Sequence, residues 1–119
     1  LRCYQMNEPF YDIQKARAIL ETWTYPLSYF DLEAVSYPIP RYNNSRPYQD
    51  LPFQFSCHIQ RSPESTLEHH EFLFNADADP REAFINEMLK VLPSLGSIVV
   101  YHQTYEMTKL KELANDFPQ

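Results

Sequence analysis

Ten prolines and a single glycine, Gly96, punctuate this chain of 119 residues. Glycine is the usual residue where a backbone must turn into a left-handed conformation, so its near absence leaves proline to mark the ends of elements. Whole classes of site disappear with it. Gly96 alone can build neither a phosphate-cradling loop nor a dinucleotide fingerprint. No internal repeat or low-complexity segment is present.

Between these breaks, hydrophobic periodicity identifies the elements. Residues 1–9 have no clear period. Ile13, Ala16, Leu20 and Trp23 recur at helical spacing behind Asp12, a good N-cap, and predict a helix from Tyr11 to Trp23. After Pro26, Leu27 to Val35 reads as a first strand. It carries Leu27, Tyr29, Asp31 and Glu33 on one face and Phe30 and Leu32 on the other, both largely buried as in a central strand. Residues 36–51 form a long loop, a length uncommon in compact domains and often functional. Phe53, Phe55, Cys57 and Ile59 then alternate with Gln54, Ser56, His58 and Gln60, the period of a half-buried strand. Turn chemistry over Arg61 to Ser65 and a third strand from Leu67 to Phe74 complete an antiparallel hairpin.

Asp79-Pro80-Arg81-Glu82 combines an N-cap, a first-turn proline and a capping-box acid, starting a helix to Leu92 with Phe84, Met88 and Val91 inward. Ser97 to Tyr101 is rich in β-branched residues, as in a buried parallel strand. A last helix runs from Thr104 to Asn115. A three-stranded meander followed by an α-β-α crossover predicts an α/β fold of the ribonuclease-H-like type. Its mixed sheet has strands one to three antiparallel and strand four parallel, flanked by helices and truncated at the C-terminus. Residues 1–24 read as an N-terminal linker and helix, and 25–119 as the N-terminal portion of the domain.

Composition bounds the function. With 44% hydrophobic residues the chain can bury a real core. It opens on Leu1, carries no signal pattern and has no apolar run of membrane-spanning length, which suggests a piece of a larger soluble protein. Cys3 and Cys57 do not form a metal-binding or secretory pattern, and a reducing cytoplasm fits best. A net charge of −6 argues against coating nucleic acid non-specifically, so any such contact must be local.

Asp31 and Glu33, two apart on a strand, point to the same side at a spacing of about 6.6 Å. Adjacent like charges repel. They mark either an exposed acidic strand end or a site where hard oxygen ligands hold Mg²⁺ or Mn²⁺. The last helix adds a third carboxylate. Glu106, Leu110, Leu113 and Phe117 share one stripe, which aims Glu106 at the sheet, although acids also favour a first helical turn for the sake of the dipole. If the strand after Gly96 lies parallel to the first, His102-Gln103 falls beside Glu33 and the three acids converge.

Asp31-x-Glu33 together with Val100-Tyr101-His102-Gln103-Thr104-Tyr105-Glu106 resembles the first two motifs of the DEDD exonuclease superfamily. Ile39-Pro40-Arg41-Tyr42, Arg46-Pro47-Tyr48-Gln49 and Pro52-Phe53-Gln54-Phe55-Ser56 resemble an uncharacterised bacterial family of DEDD-like proteins, often found C-terminal to a RecB-like nuclease domain. The resemblance spans Tyr25 to Phe117. His102 stands where the exonuclease pattern usually has Asn, and Glu106 where Asp is commoner. The third motif, which brings a further Asp and the residue that activates water, has no counterpart before Gln119.

This resemblance implies a metal-dependent 3′→5′ exonuclease-like domain acting on DNA or RNA, with Asp31, Glu33 and Glu106 as catalytic metal ligands for two Mg²⁺ or Mn²⁺ ions. Arg41 and Arg46 would meet phosphates, Tyr42 and Tyr48 would stack bases of a single strand, and His102 would complete that surface. Two other classes stay open. One is a docking module on a nuclease fold that no longer cleaves; the other is a peptide-binding scaffold using the proline-tyrosine loop. His58, His69, His70 and His102 lie on different elements without zinc-ligand spacing.

Overall fold

The computed structural model describes residues 2–7 and 9–118, without the side chains of Arg2 and Cys3. Two short helices, α1 (Arg2–Met6) and α2 (Ile13–Leu20), precede a meander of β1 (Leu27–Ser36), β2 (Asp50–Gln60) and β3 (Leu67–Leu73). Then come α3 (Arg81–Val91), β4 (Ser97–Val99) and α4 (Gln103–Asp116). The sheet order is β3-β2-β1-β4, antiparallel except for the parallel β1/β4 pair. This is a mixed α/β architecture. Among the described residues no helix is long and apolar enough to cross a membrane.

The core follows from the alternation in β1 and β2. Phe30, Leu32, Phe55, Cys57 and Ile59 point to one face and meet Phe84 of α3 and Leu113 of α4. The Phe55 ring lies between Phe30 and Phe72 at centroid distances of 5.6 and 5.7 Å and takes the edge of Phe84 at 5.5 Å. Each such ring, fully buried, contributes roughly 1.5–3 kcal/mol by removal of apolar surface from water. Cys57 lies at the centre of this layer, and burial pushes its thiol up to about 11.

Proline sets two of the helix ends. Leu92 precedes Pro93 and adopts extended backbone (φ −69°, ψ 127°), the conformation a following proline imposes, so α3 stops there. Phe117 precedes Pro118 and likewise leaves helical geometry after α4. Gly96 closes the turn into β4 at φ 98°. A Cβ there would fall 2.0 Å from the Pro26 carbonyl oxygen, so only glycine allows this approach.

Several sequence expectations need correction. α1 forms where no period was visible, and α2 spans fewer residues than the predicted Tyr11–Trp23. Ile13 and Leu20 of its apolar stripe are exposed, and the spacing did not address their burial. β1 is central, yet its Asp31/Glu33 face is open to solvent rather than buried. β4 pairs over three residues, not five, and Ile98 is half-exposed. Pro80 precedes α3 with helical backbone (φ −76°, ψ −19°), and the Asp79 Oδ1 accepts from the Arg81 N–H at 3.1 Å, the capping bond that the Asp79-Pro80 pair predicts.

Candidate functional site

β4 pairs with the first residues of β1, Val99 opposite Tyr29, and then ends. The edge of β1 beyond that point is free for α4 to approach, and this approach positions Glu106. Its carboxylate is buried, with only 4% of the residue exposed, and Oε2 has no hydrogen-bond partner among the described residues. Burial raises its pKa above the ordinary carboxylate range. The charges of Asp31 and Glu33 add to the rise, and the Leu32 backbone amide opposes it.

The three sequence-predicted acids are therefore neighbours but unequal. Asp31 and Glu33 stand exposed on the open sheet face, while Glu106 is held against the backbone between them. A groove of about 410 Å³ beside Asp31 is lined by Tyr29, Ser56, His58 and Tyr101. Among the described residues no three His, Cys, Asp or Glu side chains are grouped as a bound metal ion would need. What the three acids do share is an unpartnered buried carboxylate oxygen on Glu106 with the Asp31 and Glu33 carboxylates in electrostatic reach.

On the same open face His58 stacks on His69 at 4.3 Å. Ser56 Oγ lies 3.4 Å from His69 Nε2, and the same nitrogen is 4.0 Å from Glu71. A hydrolytic triad needs its base to meet nucleophile and acid through different ring nitrogens, so this set is not one.

The loop between β1 and β2 carries the other predicted residues. The Arg41 guanidinium lies 4.3 Å over the Tyr37 ring, and Tyr42 meets Tyr37 edge-on at 6.5 Å. Arg46 pairs with Glu112 of α4 at 3.5 Å, an exposed contact of small energetic weight. Tyr48 is exposed and holds left-handed backbone at φ 58°, its N–H donating to the Tyr37 carbonyl at 2.8 Å. A bulky residue in that region costs on the order of 1–3 kcal/mol and persists only where its surroundings impose it. His102 caps α4 without a side-chain bond and stacks on Tyr105 at 6.0 Å.

What imposes the loop shape is a cluster that sequence reasoning missed. Arg81, 1% exposed, donates to both Asp79 oxygens, to Asp116 Oδ2 at 2.9 Å, and to the carbonyls of Asn43 and Asn44 at 2.9 and 3.3 Å. Buried Gln49 donates to the same Asp116 oxygen at 2.8 Å, and its own Oε1 accepts from the Arg46 N–H. The only sequence signal was the proximity of Asp79 to Arg81. Asp116, which follows Glu106 on α4, is thereby committed to structure.

Comparison with curated proteins and with solved structures finds no match. The model of the domain-of-unknown-function family DUF2779 does match, over residues 28–119, and the chain belongs to that family.

Proposed function

We propose that this domain is a ribonuclease-H-like, metal-dependent nuclease domain that hydrolyses phosphodiester bonds of DNA or RNA from a 3′ end. The observation that carries the reading is Glu106: a buried carboxylate oxygen without a partner, set beside Asp31 and Glu33. Burying a carboxylate with one oxygen unpartnered costs stability, and that cost is offset when a cation is bound. The β3-β2-β1-β4 order and the resemblance of the two acidic segments to DEDD exonucleases support the same assignment.

In this reading Asp31, Glu33 and Glu106 hold Mg²⁺ or Mn²⁺. When bound, such ions polarise the phosphate and lower the pKa of water. The chain's own contribution is placement. β1 fixes Asp31 and Glu33 on adjacent same-face positions, and α4 carries Glu106 to them. The 37–49 loop presents Arg41 and aromatic rings to a single strand, a local contact that the net charge of −6 requires. A RecB-like nuclease domain in the same protein is the expected neighbour.

A second reading, a nuclease-fold docking module, is favoured by α2. Phe10, Tyr11, Ile13 and Leu20 present an exposed apolar surface there, and such surfaces mark interaction sites. Nucleotide release from end-labelled single-stranded DNA and RNA in Mn²⁺ tests the choice, using the full-length protein and its Asp31→Asn variant. Release that Asp31→Asn abolishes supports the nuclease. A folded protein that releases nothing in either form supports docking.

A further inference from the structure

The β1/β2 ladder shifts register between Glu33 and Ala34: Glu33 faces Gln54 and Ala34 faces Pro52, so Phe53 is the extra residue of a bulge. Bulges re-aim a side chain, and are common beside sites. Phe53 lines a cavity of about 260 Å³ with Val35, Tyr37, Tyr42, Phe74 and Ala78. Arg41 covers Tyr37, its charge exposed and without an acidic partner among the described residues. The wall of this cavity is preset. The Arg81 guanidinium anchors the loop through the carbonyls of Asn43 and Asn44, and Tyr48 N–H closes it onto Tyr37.

We propose that this cavity receives one unpaired nucleobase, against the rings of Tyr37, Tyr42 and Phe53, while Arg41 meets the adjoining phosphate. The proposal rests on the nuclease reading and names the part of its substrate the loop holds. Three features point to this occupant. Aromatic walls suit a flat ring of any sequence, since every base has a π face. The Arg41 guanidinium, stacked on the Tyr37 ring that lines the cavity, supplies the charge complement to one phosphate. The walls are fixed before binding, so little ordering opposes it. Arg46, already paired with Glu112, and Tyr48, outside the cavity lining, have lesser parts.

The test is fluorescence anisotropy with a labelled oligothymidylate and an otherwise identical abasic strand, in chelator and without divalent metal. The wild-type protein should bind the base-bearing strand about tenfold or more tightly than the abasic one. This comparison needs no variant and so does not depend on one folding. Tyr42→Ala should reduce the base-bearing strand to the abasic level. Exposed Arg41→Ala should weaken both strands and lower the salt slope by about one. Equal affinity for the two strands, or capture of an acidic aromatic peptide with no oligonucleotide bound, overturns the proposal. Base discrimination without nucleotide release in Mn²⁺ supports the cavity and removes the nuclease reading alone.

Discussion

Arg81 at the head of α3 and Asp116 at the tail of α4 are joined by a hydrogen bond of 2.9 Å from Nη1 to Oδ2, closing the helical layer over one sheet face. Arg81 is buried and Asp116 half-buried, and the guanidinium gives its remaining donors to Asp79 and two loop carbonyls. Removing Arg81 leaves Asp79 and Asp116 without their counter-charge and frees two loop carbonyls, which costs on the order of 3 kcal/mol. Arg81→Met should therefore lower the urea midpoint without changing the slope. Arg81→Lys should recover only part of the loss, because an ammonium cannot reproduce the planar fork. Hydrogen exchange of the 43–49 amides should speed up in both variants. Unchanged exchange there would show that the loop is held by other contacts.

Gly96→Ala should be among the most destabilising conservative substitutions in the chain. The backbone at φ 98° disfavours any Cβ, and the added carbon would meet Pro26 backbone atoms at 2.0 and 2.8 Å. Relief requires moving the turn, and with it the Ser97 N–H bonds to Thr24 and Pro26 that dock β4. A loss of more than about 2 kcal/mol is expected by thermal or denaturant unfolding. A loss below 0.5 kcal/mol on that order-of-magnitude scale would mean that the turn adapts freely.

Cys57 gives a chemical readout of global opening. Its thiol is fully buried, and burial pushes it up to about 11, so at pH 8 little thiolate forms and reagent has no path to it. In a Cys3→Ser background, native protein should label at the rate of unfolding, and denatured protein at once. Fast labelling of folded protein would place Cys57 in a mobile region rather than at the centre of the aromatic layer.

The parts legible in the sequence were those governed by local period. Alternation from Phe53 to Ile59 marked β2, the stripe Glu106-Leu110-Leu113 aimed Glu106 inward, and the helix before Ser97 implied the parallel β1/β4 pair. Periodicity reports that a face is apolar but not what covers it, and the stripe that marked α2 carries Ile13 and Leu20, both exposed. The same limit applies to β1, where Leu27 and Tyr29 made the Asp31 face look buried. Arg81 was invisible for another reason. Its partners Asn43, Asn44 and Asp116 meet only after the chain has folded, and no short spacing announces them.

Glu106 supplies a prediction with a sign. Its pKa is raised in the folded protein, first by burial, then by Asp31 and, less, Glu33, while in the unfolded chain it returns to the ordinary carboxylate value. The folded state therefore holds its proton to higher pH than the unfolded state does. The resulting stability is fully present below the unfolded value and is lost as pH rises through the folded one. Acidifying metal-free protein from neutral pH should thus stabilise it through this group, and Glu106→Gln should remove that dependence. At pH 7 the same variant should be neutral or stabilising by up to about 1 kcal/mol, because a neutral amide replaces an unpartnered charge. Mn²⁺ should have the opposite selectivity. A cation that binds only the folded wild type raises its stability by about 2.7 kcal/mol at a hundred times the dissociation constant. Both Glu106→Gln and Asp31→Asn should lose most of that gain. Differential scanning fluorimetry across pH, with and without Mn²⁺, reads both effects. If Glu106→Gln instead destabilises the metal-free protein at pH 7, the carboxylate is a structural acceptor and the three acids were not assembled for a cation.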